Sequence, residues 1–184
     1  MLLLRRRELI SAILCVEPLV LFDTALGSDN PYKYAYSNVN TTGDTANNSY
    51  VTVTVDYTTG LLIYLKPSST VRRGTILSSF GIAGSDLKMY RKLCAEGSFQ
   101  AKPNNYIFSI HFKDRTLSNQ VSFIDGSGIH YSSTDITDAS QRLESNLDSS
   151  VFGDGVDYGI CMTLYANAAG SAGKIMRVTR LWLE

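Results

Sequence analysis

The apolar and polar positions along the chain follow the pattern of short β-strands. The clearest is YVTVTVDY, residues 50–57. Val51, Val53, Val55 and Tyr57 fall on one side of it; Thr52, Thr54 and Asp56 fall on the other. Thr58-Thr59-Gly60 reads as a turn, and LLIYLK, residues 61–66, as the returning strand of a hairpin. Further strands are predicted at 19–22, 75–82, 86–94, 106–113, 120–125, 159–166 and 174–184. Residues 27–49 and 125–128 are loop and turn chemistry, rich in Asn, Ser, Thr, Asp and Gly. One internal helix is predicted, capped by Asp138 and running through Ala139, Leu143 and Leu147. Short strands at close turn spacing, with no crossover helices between them, predict an antiparallel β-sandwich over residues 19–184.

The final strand predicts something more. Ile175, Arg177, Thr179, Leu181 and Leu183 alternate with Met176, Val178, Arg180 and Trp182, so neither face is purely polar. It is expected to be covered on both sides or to lie in a subunit contact, near the strand at residues 19–23.

The opening residues, MLLLRRRELISAILCVEP, have a different period. Leu2, Leu3, Leu9, Ile10, Ile13 and Leu14 make one stripe at helical spacing. Arg5, Arg6 and Arg7 form a basic run, and Pro18 ends the segment. A helix this short does not hold itself together alone. Its stripe is therefore expected to bury against the domain, a second copy or a larger assembly. A secretory signal is the alternative, with Arg5–Arg7 as its basic region and cleavage at Ala25-Leu26-Gly27. Glu8 and Glu17-Pro18 interrupt its apolar run. A membrane span needs about 20 apolar residues, and this segment falls short.

Composition narrows the chemistry. The chain has 184 residues, enough for one core, and 17 basic residues against 17 acidic ones. With no net charge there is no field for nucleic acid. The three cysteines are widely spaced and there are two histidines, which gives neither a disulfide framework nor a zinc pattern. Cys161 reads as a small buried hydrophobe. His111 and Ser109 alternate with Phe108, Ile110 and Phe112 and are expected on a wet or interface face.

No G-x-S-x-G elbow occurs. Asp125, Asp135, Asp138, Asp154 and Asp157 offer loop carboxylates for glycan cleavage, but their spacing selects no pair. Calcium has its best stretch at Asp154-Gly155-Val156-Asp157, without the 12-residue acidic loop pattern. No cofactor is expected. Tyr32, Tyr34 and Tyr36 alternate in PYKYAYSN, and tyrosine among Asn, Ser and Gly is recognition chemistry, so these three are the candidate ligand contacts. Asn40-Thr41-Thr42 and Asn47-Asn48-Ser49 match the glycosylation acceptor pattern.

The two ends, MLLLRRREL followed by LFDT, and IMRVTRLWLE, resemble small virion proteins encoded by phages and prophages of gut Firmicutes. The resemblance implies a tail, fibre or head-decoration subunit with a jelly-roll or lectin-like body. It implies a homo-oligomer, a trimer in the common case, that joins other virion proteins through its N-terminus. It carries over no catalytic residue. The expected function is a non-enzymatic virion protein held by residues 1–18, with a surface for cell-surface glycan. The alternatives are a secreted carbohydrate-binding module lacking residues 1–27, and a glycan-cleaving enzyme on a lectin-like sandwich.

Overall fold

Two antiparallel sheets pack face to face in the computed structural model, which describes residues 16–36, 51–67, 72–100, 106–115, 123–131, 140–166 and 174–184. The first sheet holds β1 (Leu19–Asp23), β3 (Val51–Asp56), β4 (Gly60–Leu65), β7 (Lys92–Gln100), β10 (Ser140–Asn146) and β12 (Lys174–Leu183). The second holds β2 (Tyr34–Tyr36), β5 (Arg72–Ser78), β6 (Ile82–Ala83), β8 (Tyr106–Asp114), β9 (Gly128–Tyr131) and β11 (Asp157–Ala166). The strand order is β10-β7-β12-β4-β3 in one and β2-β5-β11-β8-β9 in the other. The fold is the mainly β sandwich that the alternation predicts. The stripe residues 2–14 and the acceptor sites at Asn40 and Asn47 lie outside the described residues. Among the described residues no helix is long and apolar enough to cross a membrane.

The core forms where the inward positions of both sheets meet. Phe99 of β7 meets Phe108 of β8 edge to face at 5.3 Å, and Phe112, Phe152 and Tyr158 continue the aromatic seam at 5.7 and 5.4 Å. Val51 and Val53 turn inward from β3 while Thr54 stays exposed, as their alternation requires.

β12 occupies the middle of the first sheet. One of its edges pairs with β7. The other pairs with β4 over Lys174–Val178 and with β1 over Arg180–Leu183. The predicted neighbourhood of residues 19–23 and the final strand is thus observed. The mixed character of β12 has a local cause. The register against β7 slips between Val178 and Arg180, a bulge at Thr179. Met176 and Val178 face inward before it, and Leu181 and Leu183 after it. One inward face with a phase slip therefore looks, in sequence, like two apolar faces, and no subunit contact is needed to explain it.

β1 uses the same device. A slip between Val20 and Phe22 lets two consecutive residues, Leu21 and Phe22, enter the core at 0% exposure. A 3₁₀ segment (Thr24–Asp29) follows, kinked at Gly27 with φ of 51°, a conformation open to glycine. Asn30 staples this corner. Its Oδ1 accepts from the Asp23 N–H at 2.7 Å, and its Nδ2 donates to the Asp23 and Gly27 carbonyls at 2.8 and 2.9 Å.

Three local expectations fail. Residues 140–146 form strand β10 in place of a helix: Leu143 packs inward while Arg142 and Glu144 point out, and Ser140 to Asn146 pair with β7. The predicted strand at 86–94 begins as a four-residue helix, α1 (Gly84–Leu87), and the strand itself runs later, from Lys92 to Gln100. Phe123 to Asp125 lie in a loop and turn, not a strand.

Candidate functional site

The outer face of the first sheet carries the densest polar chemistry described. Cross-strand register sets Arg142, Glu96, Arg180 and Asp23 in one row across β10, β7, β12 and β1. The adjacent row is Glu144, Cys94 and Trp182. Alternating charge along the first row suggests that Glu96 pairs with both arginines, but it pairs with neither. The guanidiniums of Arg142 and Arg180 lie over the Trp182 ring at 5.2 and 4.8 Å. Trp182 Nε1 donates to Glu184 Oε1 at 2.7 Å. Arg142 reaches Glu144 and Glu184 at 3.5 Å each, and Arg180 reaches Asp23 at 3.3 Å. Lys92 donates to Glu144 at 2.8 Å, which holds that carboxyl below its ordinary range. Burial pushes the Cys94 thiol up, and Glu184 adds to the shift.

Beside this array the sheet is indented. The bulge at Thr179 in β12 faces β7 at Gly97, and the register between β10 and β7 slips between Ser140 and Arg142. A Cβ at Gly97 would run into the Arg177 carbonyl, so only glycine allows the two backbones this approach. The result is an open groove of about 570 Å³, lined by Glu96, Gly97, Ser98, Arg142 and Thr179. The Thr179 hydroxyl donates to the Glu96 carbonyl at 3.2 Å. The Glu96 carboxylate makes no hydrogen bond or ion pair among the described residues.

The predicted ligand contacts lie elsewhere, on the edge strand β2 and just before it. Tyr34 is in the core: its hydroxyl donates to the Leu21 carbonyl at 2.9 Å and its ring meets Phe22 at 5.4 Å. Its pKa is raised well above the ordinary value, by burial first and then by Tyr32 and Tyr57. Tyr32 and Tyr36 are half-buried and pack against the same core. The triplet therefore packs against the interior. A shallow hollow of about 340 Å³ beside β2 has Lys33, Tyr34, Ala35, Tyr36 and Ser79 in its lining, so two of the three tyrosines also border it.

The outer face of the second sheet holds the histidine. Alternation places His111 with Ser109 on this face, as predicted, but the face is covered: His111 is 0% exposed and Ser109 3%. Phe123 covers the ring edge-on at 5.6 Å and stacks on His130 at 4.4 Å. Neither His111 nitrogen has a hydrogen-bond partner among the described residues, and Cys161 stands opposite His111 in the ladder. Cys161 is buried, as its sequence context predicts, with its sulfur 3.8 Å from the Thr163 hydroxyl.

Asp154 pairs with Lys88 at 2.7 Å. Among the described residues no three of His, Cys, Asp and Glu stand together as a metal site would require. Asp135 and Asp138 lie outside those residues.

No family model matches the chain, and no curated protein matches it.

Sequence reasoning missed the groove because it ended the strand at Cys94 and turned β10 into a helix. One signal was available: an isolated glycine in AEGSFQ, within a strand pattern, marks a bulge.

Proposed function

We propose that this protein is a non-enzymatic structural subunit of a virion, a tail, fibre or head-decoration component fastened to its particle through residues 1–18. The observation that carries this reading is the position of β1. The strand that directly follows the leading segment puts Leu21 and Phe22 into the core and pairs with the central strand of the first sheet. A pull on residue 18 runs along β1 and loads its ladder with β12 in shear. Asn30 and the Asp23–Arg180 pair brace the far end. An attachment segment joined in this way passes force to the whole body.

The secreted alternative removes residues 1–27 and with them all of β1. That loss argues for retaining the leading segment. The trimer keeps only the resemblance behind it, because β12 has its partners inside its own sheet.

Deleting residues 2–16 tests the reading. The truncated chain keeps β1, so its thermal midpoint is expected to match that of the full chain. It is expected to be missing from particles purified on a density gradient. Normal incorporation of the truncated chain contradicts the proposal.

A further inference from the structure

We infer that the bulge-formed groove on the outer face of the first sheet is a binding site for a neutral saccharide. Its chemistry excludes the main competitors in turn. The lining is polar, so an apolar ligand gains little by entering. The β7 backbone is already paired on both edges, with β10 and β12, so no peptide strand can add there. Among the described residues of the lining, one guanidinium and one carboxylate, Arg142 and Glu96, face the same space and give no net positive charge for a phosphate.

What remains is a ligand that both donates and accepts hydrogen bonds and carries no charge. A polyol meets that description. Glu96 offers a carboxylate that accepts only, and it stands unpaired because Trp182 and the neighbouring acids hold both flanking arginines. Ser98 offers a hydroxyl, and Thr179, whose proton goes to the Glu96 carbonyl, offers an acceptor oxygen. At about 570 Å³ the groove is within the size range of small-molecule sites. Gly97 fixes the indentation, since any side chain there pushes β12 away from β7. This site is separate from residues 1–18, so the inference stands or falls apart from the anchoring role.

The test uses the full chain, labelled with ¹⁵N and titrated with cellotriose, maltotriose and N-acetylchitotriose. Inorganic phosphate and a lysine-rich peptide serve as probes of the excluded chemistries. Amide shifts are expected at residues 96–98, 142 and 179 with at least one trisaccharide and with neither control. Glu96→Gln, which keeps shape and removes the charge, is expected to weaken binding about tenfold, the effect of losing a hydrogen bond to a charged group. Ser98→Trp, at an exposed position, is expected to abolish it with the thermal midpoint unchanged. No shift at these amides from any of the three sugars overturns the inference. So does binding that survives both substitutions, or binding of the peptide alone. If saccharide binding fails while deletion of residues 2–16 still blocks incorporation, only this inference is lost.

Discussion

A chain that begins at Ser28 is expected not to fold stably. It lacks β1, and with it Leu21 and Phe22, both at 0% exposure. Burying two side chains of this size stabilises a fold by about 3–6 kcal/mol in all, against a total near 5–15 kcal/mol for a typical domain. Other losses follow. The Tyr34 hydroxyl loses its acceptor on Leu21 inside the core, and a buried donor left unpaired costs about 1–3 kcal/mol. The edge of β12 from Arg180 to Leu183 is left without a partner, an open strand edge of the kind that templates aggregation. Urea titration followed by circular dichroism checks this. The expected result is no cooperative transition, or a midpoint far below that of the chain lacking only residues 2–16. Equal midpoints for the two truncations would mean that β1 contributes nothing to the core.

The second large effect is a loss of stability in mild acid, set by His111. Burial holds its pKa at about 4, with Lys113 and then His130 adding to the shift. In the unfolded chain the imidazole titrates near 6.5. Between those values the unfolded state binds the proton and the folded state does not. Stability is therefore full above about pH 6.5, falls as pH drops, and has lost roughly 3 kcal/mol by pH 4. Among the described residues, the groups beside the ring work in the same direction or are neutral. Lys113 lies two residues along β8, His130 shares the Phe123 ring, and Cys161 is the cross-strand neighbour. The carboxyl of Asp56, held at about 2 first by the Thr58 hydroxyl, titrates below this window. His111→Phe keeps a ring under Phe123 and removes two unpartnered nitrogens. Its urea midpoint is expected to fall much less from pH 6.5 to 4 than that of the parent chain. Parallel slopes for the two proteins would place the acid sensitivity elsewhere.

Much of the body was legible because alternation and turn chemistry agree there. The hairpin of β3 and β4 and the long strands β8, β11 and β12 follow from strand-like apolar runs bounded by Gly, Asn, Ser or Pro. What escaped was physical in origin. β10 reads SQRLESN, with Leu143 and Leu147 four apart behind a capping aspartate. As an edge strand it has little apolar pattern of its own, and local propensity favoured the wrong element. The two bulges reversed the parity of β1 and β12 midway, which alternation alone does not reveal. His111 was expected on a wet or interface face, and it is fully buried on the outer side of its sheet. That the face is covered depends on Phe123, twelve residues away in the chain, and no periodicity encodes that contact. Of the alternating tyrosines Tyr34 is buried, and spacing alone does not separate an edge strand that packs aromatics inward from one that displays them.

Intact mass of the protein taken from its native source tests the attachment role most directly. If residues 1–18 hold the body to a particle, the chain recovered from purified particles has a mass near 20.2 kDa. Recovery instead of a chain starting near Ser28, free in the culture medium and away from any particle, contradicts the account.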